Sequence, residues 1–306
     1  MSRKNSKHPG PDGICIIDKP IGWTSHDVVA RVRRLLNTSK VGHAGTLDPG
    51  ASGVLVLGVG KATRLLRFIS ELPKSYAGDV VFGASTSTLD NEGEVLETFD
   101  MKNLTLEETS KAASCFVGEI NQIPPMVSAI KIEGRRLHEL AREGKVVERA
   151  ARPVSVYRFD VISVVSPEGP VMKIEVDCSS GTYVRTLADD LGRRLGGGAH
   201  LQNLRRTAIG NFTLDRAQAL DSDTTQAPSV LASSMAVDHL SKVKVGQHVV
   251  SLIATGRSLA ISGESVSFEG AGPWAVTDES GNLLAVYELA NERAKPAVVL
   301  VQPEDL

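Results

Sequence analysis

Residues 42–53, Gly-His-Ala-Gly-Thr-Leu-Asp-Pro-Gly-Ala-Ser-Gly, set four glycines and one proline around a single carboxylate, Asp48. Such a loop is compact, and its backbone can approach a ligand closely. A carboxylate there is a candidate for chemistry. It is equally a turn residue, because Asp before Pro accepts local backbone hydrogen bonds. Tyr183 and Arg185 open a helix directly after a strand and a glycine turn, a junction that presents side chains to a cleft. Taken alone, they also fit a packed tyrosine and a surface arginine. Tyr76, one of only four tyrosines, follows Lys74-Ser75 and suits either a stacking platform or a core position.

Other chemistries are excluded by spacing. The cysteines Cys15, Cys115 and Cys178 form no CxxC pair, and the seven histidines form no HxxxH pair, so neither a disulfide framework nor a metal centre is expected. Gly60-Lys61 resembles the end of a phosphate-binding loop. Leu55 stands where its first glycine belongs, however, and Ala62 where Ser or Thr belongs, so no nucleotide cofactor is expected. The start of the chain is polar and basic with no apolar core, and no run approaches the roughly 18 apolar residues of a membrane-spanning helix. A cytoplasmic protein is expected.

The elements that must position these residues follow from periodicity. Ile14–Ile17 predicts a short buried strand. Ser25 is the expected N-cap of a helix with Val28, Val29, Val32, Leu35 and Leu36 inward and Arg31, Arg33 and Arg34 outward. Residues 40–53 are expected as a loop, Val54–Val59 as a buried strand, and Lys61–Ser70 as a helix. Tyr76–Phe82 is expected as a strand, and residues 85–93 as a polar turn. Thr105 with Glu108 is a capping box that opens a further helix. Pro124-Pro125 begins a basic excursion, residues 124–152, with one short helix over Leu137–Glu143. Strands are expected at Val154–Val165 and Met172–Cys178, a helix from Val184 to Leu195, and one long strand over Leu201–Phe212. Residues 221–235 lead to a linker, and residues 241–306 predict a small all-β module with a hairpin whose four-residue turn is Asp278–Gly281.

The 306 residues carry 34 basic and 36 acidic groups, a net charge of −2. That near-balance hides segments of +7 (residues 1–67), +4 (131–158) and +3 (185–216), set against −6 in each of 86–123 and 221–306. Such alternation can build a cationic face for a polyphosphate partner, or simply solvated helix faces.

Taken in order, several segments closely resemble the TruB family of tRNA pseudouridine-55 synthases. They are Asp18–Ser25, Lys40–Pro49, Gly58–Arg64, Lys74–Tyr76, Pro124–Lys131, Gly134–Leu137, Gly181–Leu187 and Leu204–Thr207. The resemblance spans about residues 12–220. It implies an α+β pseudouridine-synthase fold: a mixed, mostly antiparallel sheet flanked by helices and loops, with a small β-rich PUA-like C-terminal domain. The implied organisation is a terminal segment 1–12, a catalytic domain 13–235 with residues 124–152 as a thumb loop, and a PUA-like domain 241–306.

The implied activity isomerises uridine 55 in the T-loop of tRNA after the base is flipped out, with no cofactor and no metal, in a monomer. By the resemblance Asp48 is the catalytic carboxylate, Arg185 its ion-pair partner, and Tyr76 the stacking residue that also takes a sugar proton. Lys19, His43, Gly45, Thr46, Leu47, Tyr183, Lys131, Arg135 and Leu204 contact the RNA. His138 stands where the family often has Tyr, and Arg64 where Lys is common. The acidic 86–123 segment is expected to face away from RNA. Two other readings use the same residues: a tRNA-binding folding chaperone with little turnover, and a nucleoside glycosidase. The glycosidase requires a second acid roughly 5–9.5 Å from Asp48.

Overall fold

The computed structural model describes residues 10–303, apart from 129–130, 133–134, 138–142, 144–146, 167–168 and 264–265 and the side chains of 131, 132 and 136. The helix expected over Leu137–Glu143 therefore falls largely outside the described residues.

A large mixed sheet organises the first part of the chain. Its strands run in the order Gln218–Ala219, Gly13–Lys19, Ser52–Val59, Ala199–Ile209, Lys74–Phe82, Val171–Cys178, Arg152–Ser166 and Gly118–Gln122, with Val41–Ala44 and Phe212–Thr213 paired at its side. Most pairs are antiparallel; Ala199–Ile209 runs parallel to Ser52–Val59. All eight residues of Ser52–Val59 are buried, as a near-continuous apolar run at the centre of a sheet demands. The helix Val184–Arg194 lies across the sheet and buries Val184, Leu187, Ala188 and Leu191 against Val80, Met172, Ile174, Val176 and Leu201. Burying an aliphatic side chain of this kind stabilises by about 1.5–3 kcal/mol.

Five expectations change. The helix Ser25–Leu35 is capped by Thr24, not Ser25. Thr24 Oγ1 accepts from the Asp27 amide, and Asp27 Oδ2 accepts in turn from the Thr24 amide at 2.8 Å. Ser25 is thereby freed for another task. The loop expected from residue 40 begins with a strand, Val41–Ala44, because Val59 to Val56 offer it an open edge. Residues 60–65 wind as a 3₁₀ turn before the short α-helix Leu66–Ser70. The single strand expected over Leu201–Phe212 is a hairpin, since Gly210 at φ 50° turns the chain back. Finally, residues 241–303 are not all-β. A five-stranded sheet, ordered Ser241–Lys244, Trp274–Thr277, Leu283–Ala290, Arg293–Val299 and Leu259–Ala260, carries the helix Gln247–Ala254. Val249, Val250 and Ile253 form that helix's buried face; their β-branching hides the helical spacing in sequence. The expected four-residue turn Asp278–Gly281 forms, with the Gly281 amide donating to the Asp278 carbonyl at 3.1 Å.

The two sheets share apolar contacts: Ala275, Val286, Val298 and Leu300 bury with Ile14, Val56, Phe68 and Ile209. Among the described residues no helix is long and apolar enough to cross a membrane.

Three arginines of the first segment also donate to backbone carbonyls. Arg31 donates to the Ser222 and Thr224 carbonyls, Arg33 to that of Val41, and Arg64 to that of Val299. Gly53 marks a tight crossing beside the candidate site. At φ +106° an added Cβ would lie 2.1 Å from the Arg206 carbonyl oxygen. Gly53→Ala is expected to destabilise by about 3 kcal/mol or more, since both the backbone conformation and the space forbid it. Urea unfolding measures this, and a loss below about 1 kcal/mol would mean that the two strands move apart easily.

Candidate active site

Residues 45–51 are gripped from three sides by buried side chains. Arg206, 1% exposed, donates through Nη2 to the Gly45 carbonyl at 3.0 Å, through Nη1 to that of Thr46 at 3.4 Å, and through Nε to that of Val54 at 2.8 Å. The Ser25 hydroxyl accepts from the Leu47 amide at 2.9 Å and donates to its carbonyl at 3.2 Å. Lys19, fully buried, donates to the carbonyls of Pro20, Trp23 and Pro49 at 2.9, 2.6 and 3.3 Å. Asp48 is thus held on both flanks, and the Ala51 amide donates to its carbonyl at 3.1 Å. The turn expected at Asp48-Pro49 is therefore present.

The Asp48 carboxylate meets Arg185 at 2.9 Å. Arg185 is 5% exposed, and both its terminal nitrogens have partners. Nη2 faces Asp48 Oδ2 and the Val127 carbonyl, the latter at 2.9 Å, while Nη1 faces the Thr88 carbonyl at 2.9 Å and Asp90 Oδ2 at 3.4 Å. The planar fork suits such divergent acceptors as no ammonium could. Arg185 is placed by Tyr183, which starts the helix Val184–Arg194 and exchanges two hydrogen bonds with the Gln122 side chain, at 2.7 and 3.1 Å.

These groups border a hollow of about 240 Å³. Gly45, Thr46, Leu47, Asp48, Tyr76, Tyr183, Arg185 and Leu204 line it, so eight of the residues expected from sequence do converge. Lys74 and Arg206, which sequence reasoning left out of the site, line it too. Lys74 is buried, donates to the Ser70 and Leu72 carbonyls, and is pushed down to about 8 by desolvation. The Tyr76 phenol is raised by burial, with the Arg206 guanidinium opposing that shift from beside its hydroxyl. A phenol held in its neutral form fits stacking and hydrogen-bond donation better than proton abstraction by a phenolate.

Three expected residues lie elsewhere. Lys19 sits behind the loop and braces it instead of lining the hollow; burial lowers it to about 8, against the attraction of Asp48. His43 packs its ring edge-on to His26, with centroids 5.4 Å apart. Arg135 is exposed on a hairpin and pairs with Glu143. The Lys131 side chain falls outside the described residues. The acidic segment does not simply face away: Asp90 touches Arg185, and an added Cβ at Gly50 would lie 2.7 Å from Glu92 Oε1. No local signal separates Asp90 from the other acids of that turn. The group directly against Asp48 is a guanidinium and not a second acid; Arg185 contacts Asp48 at 2.9 Å and Asp90 at 3.4 Å.

Desolvation, aided by the positive charges of His26 and Arg206, lowers His43 to about 4. The unfolded chain binds a proton near pH 6.5 that the folded chain refuses until about pH 4. Stability from this group is therefore complete above pH 6.5 and lost as the pH falls toward 4. His43→Gln is expected to flatten that part of the stability–pH curve, read by chemical denaturation across pH 4–7. An unchanged slope would show that the imidazole is accessible to protons in the folded state.

By its fold the chain joins a known group of structures. A chain in the crystal structure of a Cbf5-Nop10-Gar1 complex matches it with a TM-score of 0.72 at 26% identity, covering 95% of this chain and 86% of that one. A chain in the structure of an H/ACA RNP bound to a substrate RNA containing 2'-deoxyuridine has the same fold, at a TM-score of 0.69 and 24% identity, over 95% and 86% of the two chains. In sequence, the tRNA pseudouridine synthase B of Mycobacterium tuberculosis strain H37Rv is 43% identical over 95% of this chain and 96% of that protein. The tRNA pseudouridine synthase B of Thermobifida fusca is also 43% identical, over 94% and 98%. Residues 33–184 match the N-terminal domain of the TruB family pseudouridylate synthases, and residues 185–242 match the tRNA pseudouridylate synthase B C-terminal domain. The chain belongs to the TruB family of pseudouridylate synthases.

Proposed function

We propose that the protein isomerises uridine 55 in the T-loop of tRNA to pseudouridine, with Asp48 as the catalytic carboxylate. The observation that carries this reading is the carboxylate itself: braced on both flanks, 2.9 Å from a buried guanidinium, and opening on the same hollow as Tyr76. The reaction breaks the C1′–N1 bond of uridine and forms a C1′–C5 bond; C5 loses a proton and N1 gains one, so nothing else is consumed. Asp48 supplies the oxygen that assists these bond changes, and Arg185 holds it aimed through their ion pair when RNA excludes water. Tyr76 stacks on the base, and Gly45–Leu47, Tyr183 and Leu204 shape the walls.

The nucleotide must leave its stack to reach Asp48, at a cost of a few kcal/mol. Residues 124–152, with Lys131 and Arg135, act as a thumb whose basic side chains offset that cost through phosphate contacts. Residues 13–235 form the catalytic domain and residues 241–306 a PUA-like domain that orients the RNA. The enzyme works as a cytoplasmic monomer.

The decisive experiment supplies unmodified tRNA transcript carrying tritium at uridine C5. Release of tritium to water at one equivalent per tRNA is expected, and none from a transcript with cytidine at position 55. No release above a no-enzyme control would overturn the reading and favour a binding protein without turnover. RNA affinity should fall steeply with salt, with log K against log[salt] sloping by about −0.7 to −0.9 per phosphate contacted. A flat dependence would rule out the phosphate contacts.

A further inference from the structure

The strand Ala199–Ile209 departs from regular pairing twice, and both departures flank the site. Gln202 pairs with Asp79 and Arg205 with Ala77, so Asn203 and Leu204 together oppose Gly78. Arg206 then pairs with Tyr76, and Ala208 with Ser75, a second added residue. At the first bulge Asn203 has φ 53°, and its Nδ2 donates to Asp79 Oδ2 at 2.8 Å.

Side chains alternate faces along a strand, so one added residue exchanges the faces of everything beyond it. Leu201 is buried beneath the Val184–Arg194 helix. By strict alternation Asn203 and Arg205 would share its face, and Leu204 and Arg206 would turn away. Instead Leu204 packs on the core that holds Leu201, and both Leu204 and Arg206 line the hollow. Arg205 turns to Ser52 and Asp18, at 3.1 and 2.6 Å.

We propose that Asn203 is a positioning residue: its left-handed backbone, tied to Asp79, sets the alternation that brings Leu204 and Arg206 to the site. Asn tolerates this conformation because its short polar side chain adds little steric conflict, whereas a β-branched side chain there is a genuine outlier. The rate measurements below rest on the isomerase reading; the labelling measurement does not.

With saturating unmodified tRNA transcript, Asn203→Val is expected to lower the tritium-release rate at least about 30-fold with little change in KM, as a small misplacement of site groups does. Asn203→Gly, which keeps the positive φ, should stay within about threefold of wild type. If the proposal holds, Leu204→Ala costs little more once Asn203→Val is present, because both changes disable the same contact. An Asn203→Val enzyme near the wild-type rate, a Gly variant as damaged as the Val variant, or fully multiplicative losses would each overturn it.

Labelling of Leu204→Cys by a soluble maleimide, with Cys115→Ser removing the exposed native thiol, reads side-chain position without catalysis. Adding Asn203→Val should change that labelling rate at least about fivefold, and adding Asn203→Gly should not; equal rates in all three would refute the assignment. If Asn203→Val does not fold, Asn203→Ala carries the same comparisons. A wild-type enzyme that releases no tritium would remove the isomerase reading and leave the labelling result to decide this one.

Discussion

Asp48→Asn should abolish isomerisation while the protein still folds and still binds tRNA. The expected fall in single-turnover rate is at least about 10⁴-fold, or roughly 5–6 kcal/mol of transition-state stabilisation, because the amide keeps the shape of the carboxylate but loses its charge and nucleophilicity. Folding survives because the loop is held by others: Arg206 on Gly45 and Thr46, Ser25 on Leu47, and Lys19 on Pro49. Arg185 keeps Asp90, Thr88 and Val127 as partners, so its buried charge is not orphaned. Tritium release, tRNA affinity and thermal midpoint should be measured on one preparation. A variant that releases tritium at more than about one-hundredth of the wild-type rate would remove Asp48 from the chemistry. A variant that loses tRNA affinity in proportion to its rate would make the residue a binding group.

Arg185→Lys should be the next most damaging change, with a rate loss of about 10²–10³-fold, or roughly 3–4 kcal/mol. Charge is conserved, so the prediction isolates geometry. The guanidinium serves four acceptors through two separated nitrogens, and one ammonium with three donors on a single point cannot reach them all. The carbonyls of Thr88 and Val127 would lose their partner, and each such loss costs about 1–3 kcal/mol where it stays buried. Two segments beside the site, the Thr88–Asp90 turn and the approach to the thumb, would then be released together. The expected pattern is a lower rate, a lower melting temperature and a nearly unchanged KM. A Lys variant that retains wild-type turnover would reduce Arg185 to a simple counter-charge.

What was legible without coordinates was local. The Thr105–Glu108 capping box forms as expected, with the Thr105 side chain accepting from the Glu108 amide, because all its partners lie within one turn. The same rule misplaces the first cap. Thr24 and Ser25 are adjacent and chemically alike, and only the contact between Ser25 and Leu47, 22 residues away, assigns each its task. The outward face of the first helix is as expected, with Arg33 and Arg34 exposed. What the charge pattern does not show is that Arg31 also reaches the Ser222 and Thr224 carbonyls, 191 and 193 residues away.

The candidate site shows the same division. The glycine-rich loop marks Asp48 by composition, and the strand–turn–helix junction marks Arg185, but 137 residues separate the two and no spacing rule joins them. Their pairing was expected through family resemblance alone. Arg206 was passed over because Arg205 and Arg206 are indistinguishable in a row. Which of them faces the site depends on a bulge three residues earlier, and a bulge is a property of two strands, not of one. Composition and periodicity therefore determine most of the elements and the presence of a compact glycine-rich loop around Asp48, since these depend on contacts a few residues apart. Which buried cation braces the loop, which acid shares Arg185 and which face of Ala199–Ile209 meets the hollow belong to the folded chain, because hydrogen bonds and alternation across strands are settled only when distant segments meet.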